Sequence, residues 1–155
     1  MCIIRKCTNH SKGVKMTFED FSRFLNTKSM GRIEPPINEQ LTERVFTGMK
    51  KIAMDTIPLR WVVEDPDGYE ILRRVDEYTF IRMPLKPIIG SGDALDIEEA
   101  LVDSLALYVM AGLELQRSKV LMGMYRENID QYNVKLIETY LFEATNDAER
   151  FYVFP

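Results

Sequence analysis

A chain of 155 residues with a formal net charge of −4 is long enough for one domain with a sizeable core and needs no second core. Its composition, 46% hydrophobic and 28% charged, argues against wholesale disorder. The longest apolar run, residues 100–115, contains three polar residues and is shorter than the roughly 20 residues of a membrane-spanning helix, so no membrane span is predicted.

The N-terminal segment mixes charged and apolar residues without the order of a secretion signal, so we expect a protein that is made and used inside a cell. Cys2 and Cys7, with His10 nearby, do not supply the four ligands of a zinc site. We therefore predict reduced thiols and no metal site.

The first 32 residues form a basic arm. They carry seven basic and two acidic side chains, a net charge of +5 that leaves −9 on the remainder. Such an arm could contact phosphate groups or an acidic neighbouring subunit, and the lack of interleaved aromatic residues favours the subunit. The candidate contact residues are Arg5, Lys6, Lys12 and Lys15.

Two amphipathic helices are predicted in the first third of the chain. Thr17 is a suitable N-cap for a helix over residues 18–26, and residues 27–36 form a linker because they contain Gly31 and two prolines. Asn38 caps a second helix, which ends before Pro58. Its core face carries Leu41, Val45, Met49 and Ile52.

From residue 59 the pattern favours strands. Residues 59–63, 69–75 and 78–83 predict a small antiparallel meander, with a turn at residues 64–68, EDPDG. Trp61 could bind a ligand, but its apolar neighbours favour packing between sheet and helix. The following Gly-Ser-Gly loop lacks the rest of a phosphate-binding motif, so no nucleotide or other cofactor is predicted.

Residues 96–121 predict the central buried helix, since the segment is apolar nearly all round. Asp96 is its predicted N-cap, with Glu99 at the capping-box position and Glu98 beside it. Capping explains these carboxylates, and no nucleophile or histidine base accompanies them, so no enzyme is predicted. Gly112 is predicted to mark a close crossing with another helix.

A final helix is predicted over residues 122–141, with tyrosines along one face. Packing of this tyrosine face on the central helix is favoured over a role in a subunit interface, where tyrosine is enriched. Beyond residue 145 the chain carries large apolar residues that either fold back or, in the interpretation we favour, dock on a partner. The candidate partner-binding residues are Tyr125, Tyr132, Tyr140, Phe151, Tyr152, Val153 and Phe154.

The predicted fold is therefore mainly α. It is a helical bundle around one long buried helix, with a small antiparallel β meander inserted and an extended C-terminal arm. The single domain comprises a basic arm and linker (1–36), a helical core (37–141) with the β insertion (59–83), and the C-terminal arm (142–155).

Several short segments stand out: YTFIRMP at residues 78–84, LDIEEAL at 95–101 with ALY at 106–108, and DQYN at 130–133. Together they resemble the head–tail connector proteins of tailed bacteriophages, which are also called adaptor or head-completion proteins. The resembling region covers roughly residues 59–141.

The resemblance implies a structural protein assembled with itself as a ring, commonly of twelve copies, beneath the portal in the virion neck, after synthesis in the host cytoplasm. Its C-terminal arm would engage the portal protein, tail or neck proteins would bind the ring, and DNA would only pass through the channel. An acidic balance suits such a channel, which should not hold phosphates strongly. The alternative is a small helical regulatory or nucleic-acid-binding protein that acts through its basic N-terminal arm.

Overall fold

The computed structural model describes residues 16–33 and 38–146, with side chains as far as residue 139. In this part of the chain, four α-helices surround one core, and a small sheet is inserted between the second and third helices. The mainly α fold with a small antiparallel sheet is confirmed. The elements are α1 (Phe18–Lys28), α2 (Glu39–Asp55), β1 (Val62–Val63), β2 (Ile71–Asp76), β3 (Thr79–Arg82), α3 (Glu99–Leu113) and α4 (Ser118–Asn146).

Both predicted caps of the first two helices are confirmed. The Thr17 hydroxyl accepts a hydrogen bond from the backbone N–H of Asp20 at 3.1 Å, and the Asp20 carboxylate accepts one from the Thr17 N–H at 3.2 Å. The Asn38 side chain accepts from the Leu41 N–H at 2.9 Å. Each cap satisfies N–H groups that the first helical turn leaves without a partner.

The predicted central helix lies at the centre of the bundle, where α3 packs against α1, α2 and α4. Most of its residues are buried, including Leu101 and Leu105 at 0% exposure. The bounds differ from the prediction of 96–121, because α3 begins at Glu99 and ends at Leu113. A short 3₁₀ turn, Leu115–Arg117, then redirects the chain into α4.

The sheet is antiparallel and has the order β1-β3-β2, which puts the third strand in the centre. Residues Leu59–Trp61, predicted as part of the first strand, form a 3₁₀ turn. Arg73 of β2 fastens the sheet to α2, since its guanidinium donates to the backbone oxygens of Ala53 at 2.7 Å and Thr56 at 2.6 Å. A cation at this position satisfies carbonyls at the helix C-terminus.

Helix α4 runs antiparallel along α3. Asn128 donates to Asp103 at 2.9 Å, and the Tyr132 hydroxyl donates to Glu98, at the start of α3, at 2.8 Å. From Tyr132 the helix continues to Asn146, about 21 Å at about 1.5 Å per residue, and so extends past the start of α3. No helix in the described part of the chain is long and apolar enough to cross a membrane.

Candidate functional site

Asp96 is the centre of a buried polar network. Its side chain is 5% exposed and accepts four hydrogen bonds. One oxygen receives Arg60 Nε and Arg82 Nη2, both at 2.9 Å, and the other receives Arg82 Nη1 at 2.6 Å and the Leu85 N–H at 2.9 Å. These bonds use the acceptor capacity of the carboxylate and join the sheet to the segment before α3.

The prediction that Asp96 caps the central helix is therefore wrong. Its carboxylate points to two arginines and a backbone amide from other parts of the chain, and the N-cap position belongs to Glu98. Burial raises the pKa of Asp96, but the hydrogen bonds from Arg82, Leu85 and Arg60 outweigh burial and hold the pKa below its usual value. The residue is ionised and structural.

Glu98 occupies the N-cap position of α3 without capping it through its side chain, and Glu99 beside it is exposed. The capping box predicted for Glu99 is thus wrong as well. The Glu98 carboxylate accepts from the Tyr132 hydroxyl and from the backbone N–H groups of Arg60 and Leu59. Burial nevertheless raises the pKa of this carboxyl above its ordinary value.

Two tyrosines of α4, Tyr125 and Tyr132, face the interior. Tyr125 is 1% exposed, donates its hydroxyl to Asp55 at 2.8 Å and packs its ring 5.7 Å from that of Tyr108. Burial raises the pKa of the Tyr125 hydroxyl, and the nearby Asp55 carboxylate raises it further. Tyr132 is 8% exposed. Packing on the central helix is confirmed for both rings, and a partner contact through them is wrong because neither lies on the surface.

Of the other candidate residues, one is buried and the rest have side chains outside the described part. Trp61 is fully buried and donates its indole N–H to the Asp96 backbone oxygen at 2.7 Å, which confirms its packing role. Tyr140 lies in α4, but its side chain is outside the described part. Outside the described residues also lie Arg5, Lys6, Lys12, Lys15, Phe151, Tyr152, Val153 and Phe154.

The described side chains include no group of three or more His, Cys, Asp or Glu residues that could hold a metal ion. A cleft of about 210 Å³ reaches Asp96 beside residues 85–88. The four hydrogen bonds of that carboxylate leave it no free acceptor site for a ligand. The buried network therefore joins the sheet to the segment before α3.

Two clefts lie beside α2. One, of about 490 Å³, lies between α2, the end of α3 and the start of α4. The other, of about 1090 Å³, lies between the start of α2 and residues 86–89. Glu43 and Arg44 line both clefts, and we call the two clefts together the α2 groove.

Gly112 lines the groove but does not mark a helix crossing, so that prediction is wrong. Arg44 Nη1 donates to the Gly112 backbone oxygen at 2.9 Å, and a Cβ at this position would lie 2.5 Å from the same nitrogen. The close helix contact is at Gly48 instead, where a Cβ would lie 2.7 Å from Leu105 and 3.0 Å from Tyr108. The sequence contains this signal, because Gly48 shares the core face of α2.

Large apolar side chains are exposed on the loop beside the groove and on α4. Leu85, Ile88 and Ile89 are 69%, 65% and 45% exposed on the loop that forms one wall. On α4 the exposed set is Val120, Met124, Val134 and Ile137. Sequence reasoning missed both sets, although the α4 set lies on the face opposite the buried tyrosines. Comparison of the chain with family models, with curated proteins and with solved structures found no match.

Proposed function

We propose that this chain is a structural subunit of a head–tail connector ring, which joins the portal to the tail of a tailed bacteriophage and forms part of its DNA passage. The portal protein and tail or neck proteins are its partners, and the virion neck is its place of action. The subunit carries out no chemical step.

The pairing of the two main resembling segments carries this proposal. Arg82, in the first segment, forms a bidentate ion pair with Asp96, in the second, with distances of 2.6 and 2.9 Å. The residues behind the resemblance thus form one structural joint between β3 and α3. An ion pair that holds two elements of one subunit in a fixed position suits a protein with a structural role.

The internal polar contacts support a rigid subunit. Arg73 ties the sheet to α2, Tyr125 ties α4 to α2, and Asp96 ties the sheet to the start of α3. Repeated copies of a rigid body that meet head to tail generate a ring when the rotation closes. Several arms that each bind weakly would then hold the ring to its neighbours through multivalency.

Electron microscopy tests the proposal directly. Purified chain is expected to form rings, and particles assembled without it are expected to be filled heads that lack tails. Labelled chain should locate at the neck of complete particles. A chain found nowhere in the virion would overturn the proposal.

Measurements of DNA binding address the alternative function. A connector is expected to bind duplex DNA weakly and without a strong dependence on salt. A tight, salt-sensitive affinity that disappears when Arg5, Lys6, Lys12 and Lys15 are changed to glutamine would favour the regulatory protein instead.

A further inference from the structure

Two stretches of the chain meet at the end of the bundle where α3 ends. The first comprises residues 27–33, at the end of α1 and just after it, and the second comprises residues 113–120, which lead from α3 into α4. Arg32 Nε donates to the Glu114 carboxylate at 2.8 Å, and the Glu114 side chain is only 11% exposed. This ion pair holds the two stretches beside each other, and we call them together the loop pair.

The loop pair exposes large apolar side chains. Met30 is 83% exposed and Leu115 81%, while Val120 is 62% and Leu113 38% exposed. Met30 also has a φ of 56°, a left-handed conformation that is uncommon for residues other than glycine. Neither Met30 nor Leu115 lines a cleft of the α2 groove. Apolar side chains that are this exposed on neighbouring loops mark a surface that meets apolar surroundings.

Cations flank these apolar side chains in both stretches. Residues 27–33 carry two cations and no carboxylate, and residues 113–120 carry two cations and one carboxylate. The loop pair therefore has a net charge of +3, on a chain whose net charge is −4. Lys28 also pairs with Asp103 of α3, whereas Lys119 is exposed. The four cations are Lys28, Arg32, Arg117 and Lys119.

This combination of charge and apolar character favours one class of partner. A nucleic acid would attract the cations, but its phosphates have no use for exposed aliphatic side chains. A protein would need a pocket for each of the apolar tips at the right separation. An anionic lipid surface satisfies both features, because its headgroups attract cations and the boundary with the acyl chains accepts apolar side chains of any shape.

We propose that the loop pair binds an anionic lipid surface. Met30 and Leu115 enter the boundary between headgroups and acyl chains, and the flanking cations lie at the level of the lipid phosphates. The ion pair between Arg32 and Glu114 holds the two apolar tips side by side before binding, so that little order has to be gained on the surface. The inference goes beyond the proposed function and does not depend on it.

Flotation of the full chain with lipid vesicles tests the proposal. The chain is expected to float with vesicles made of equal parts phosphatidylcholine and phosphatidylglycerol, to bind phosphatidylcholine alone much more weakly, and to be released from the mixed vesicles by salt. Met30→Asn combined with Leu115→Gln should weaken binding to the mixed vesicles by about tenfold or more. Asparagine tolerates the left-handed conformation at position 30, so the fold is kept.

The control for lost apolar surface is Met54→Gln combined with Val134→Gln. These side chains are 57% and 52% exposed on α2 and α4, outside the loop pair, and their replacement should leave binding unchanged. Thermal unfolding verifies that every variant is folded. If the double loop variant does not fold, Leu115→Gln alone replaces it, with Val134→Gln alone as its control.

A second pair of variants tests the charge. Lys119→Glu should weaken binding to the mixed vesicles by about fivefold or more, whereas Lys135→Glu, at another exposed position of the same helix, should have little effect. An unchanged chain that does not float with the mixed vesicles would overturn the proposal. Equal binding by the unchanged chain and the double loop variant would do so as well.

Two further results would assign the contact elsewhere and overturn the proposal. Vesicle binding that survives the loop variants, but is lost when Arg5, Lys6, Lys12 and Lys15 are changed to glutamine, would place the lipid contact in the N-terminal arm. Affinity for duplex DNA that Lys119→Glu abolishes, in a chain that binds no vesicles, would make the loop pair a nucleic-acid contact.

Discussion

At the scale of single residues, Asp96 shows how a local pattern can conceal a distant partner. Beside a helix start and followed by two glutamates, it has the appearance of an N-cap, yet the arginines that bind it come from residues 60 and 82. A buried ion pair adds little net stability over well-packed apolar residues. Removing one partner is costly, however, because it leaves the other charge uncompensated.

Replacing Asp96 with asparagine is expected to lower the free energy of unfolding by about 3 kcal/mol, because Arg82, itself 15% exposed at the side chain, would lose its counter-charge. Urea unfolding with an unchanged slope would measure this loss. Asp93→Asn, at an exposed position three residues earlier, controls for the lost surface charge and should stay within about 0.5 kcal/mol. Equal stability of the two variants would contradict the role given to Asp96.

The partly buried Glu98 carboxyl leads to a prediction about stability and pH. Its contribution to stability should fall as pH rises, whereas the contribution of a carboxylate in an ion pair grows. Burial raises its pKa above 4.5 in the folded chain, so the folded state holds the proton more readily than the unfolded state. This contribution favours folding fully below the unfolded pKa and is lost as pH rises through the folded pKa.

Glu98→Gln, which can still accept from Tyr132, removes that dependence. Relative to this variant, the unchanged chain is expected to lose stability as pH rises from about 4 toward neutrality. Unfolding free energies measured across that range for both chains check the sign. Glu99→Gln, an exposed neighbour, serves as the control. A stability difference that grows in favour of the unchanged chain toward neutral pH would refute the prediction.

At the scale of elements, the features that depend on neighbouring residues are the ones the sequence predicts well. The caps at Thr17 and Asn38 need only the next three residues, and both are present in the structure. The start of α3 and the strand order depend on partners far along the chain, which no local pattern contains. The candidate groove was missed for the same reason, since three helices and a loop combine to form it.

The tight contact between α2 and α3 at Gly48 leads to a paired prediction. Alanine in place of glycine favours a helix by about 1 kcal/mol at an open site. Gly123→Ala on α4, where nothing lies within 4 Å, should therefore raise stability. Gly48→Ala should lower it by about 1 kcal/mol or more, since the new Cβ meets the fully buried Leu105 at 2.7 Å. Thermal unfolding of both variants tests this difference in sign.

At the scale of the whole molecule, we expect folding and assembly to use different parts of the chain. The last buried side chain of α4 in the described part is Leu136, and the helix continues to Asn146. In the described part, the inner face of α4 covers α3 at Leu121, Tyr125 and Tyr132. We therefore expect the residues beyond Leu136 to serve contacts with partners rather than the core.

Truncation after Thr139 tests this division. The shortened chain is expected to fold with a free energy of unfolding within about 1 kcal/mol of the full chain, because every buried α4 side chain of the described part is retained. It should no longer bind the portal protein, since it lacks the candidate partner-binding residues 151–154. Truncation after Glu127, which removes Ile129, Tyr132 and Leu136 from the core, should abolish cooperative unfolding. If the chain shortened at Thr139 were unfolded, residues 140–155 would belong to the core. If it still bound the portal protein, the partner contact would have to come from another face, of which the outer side of α4 is the first to test.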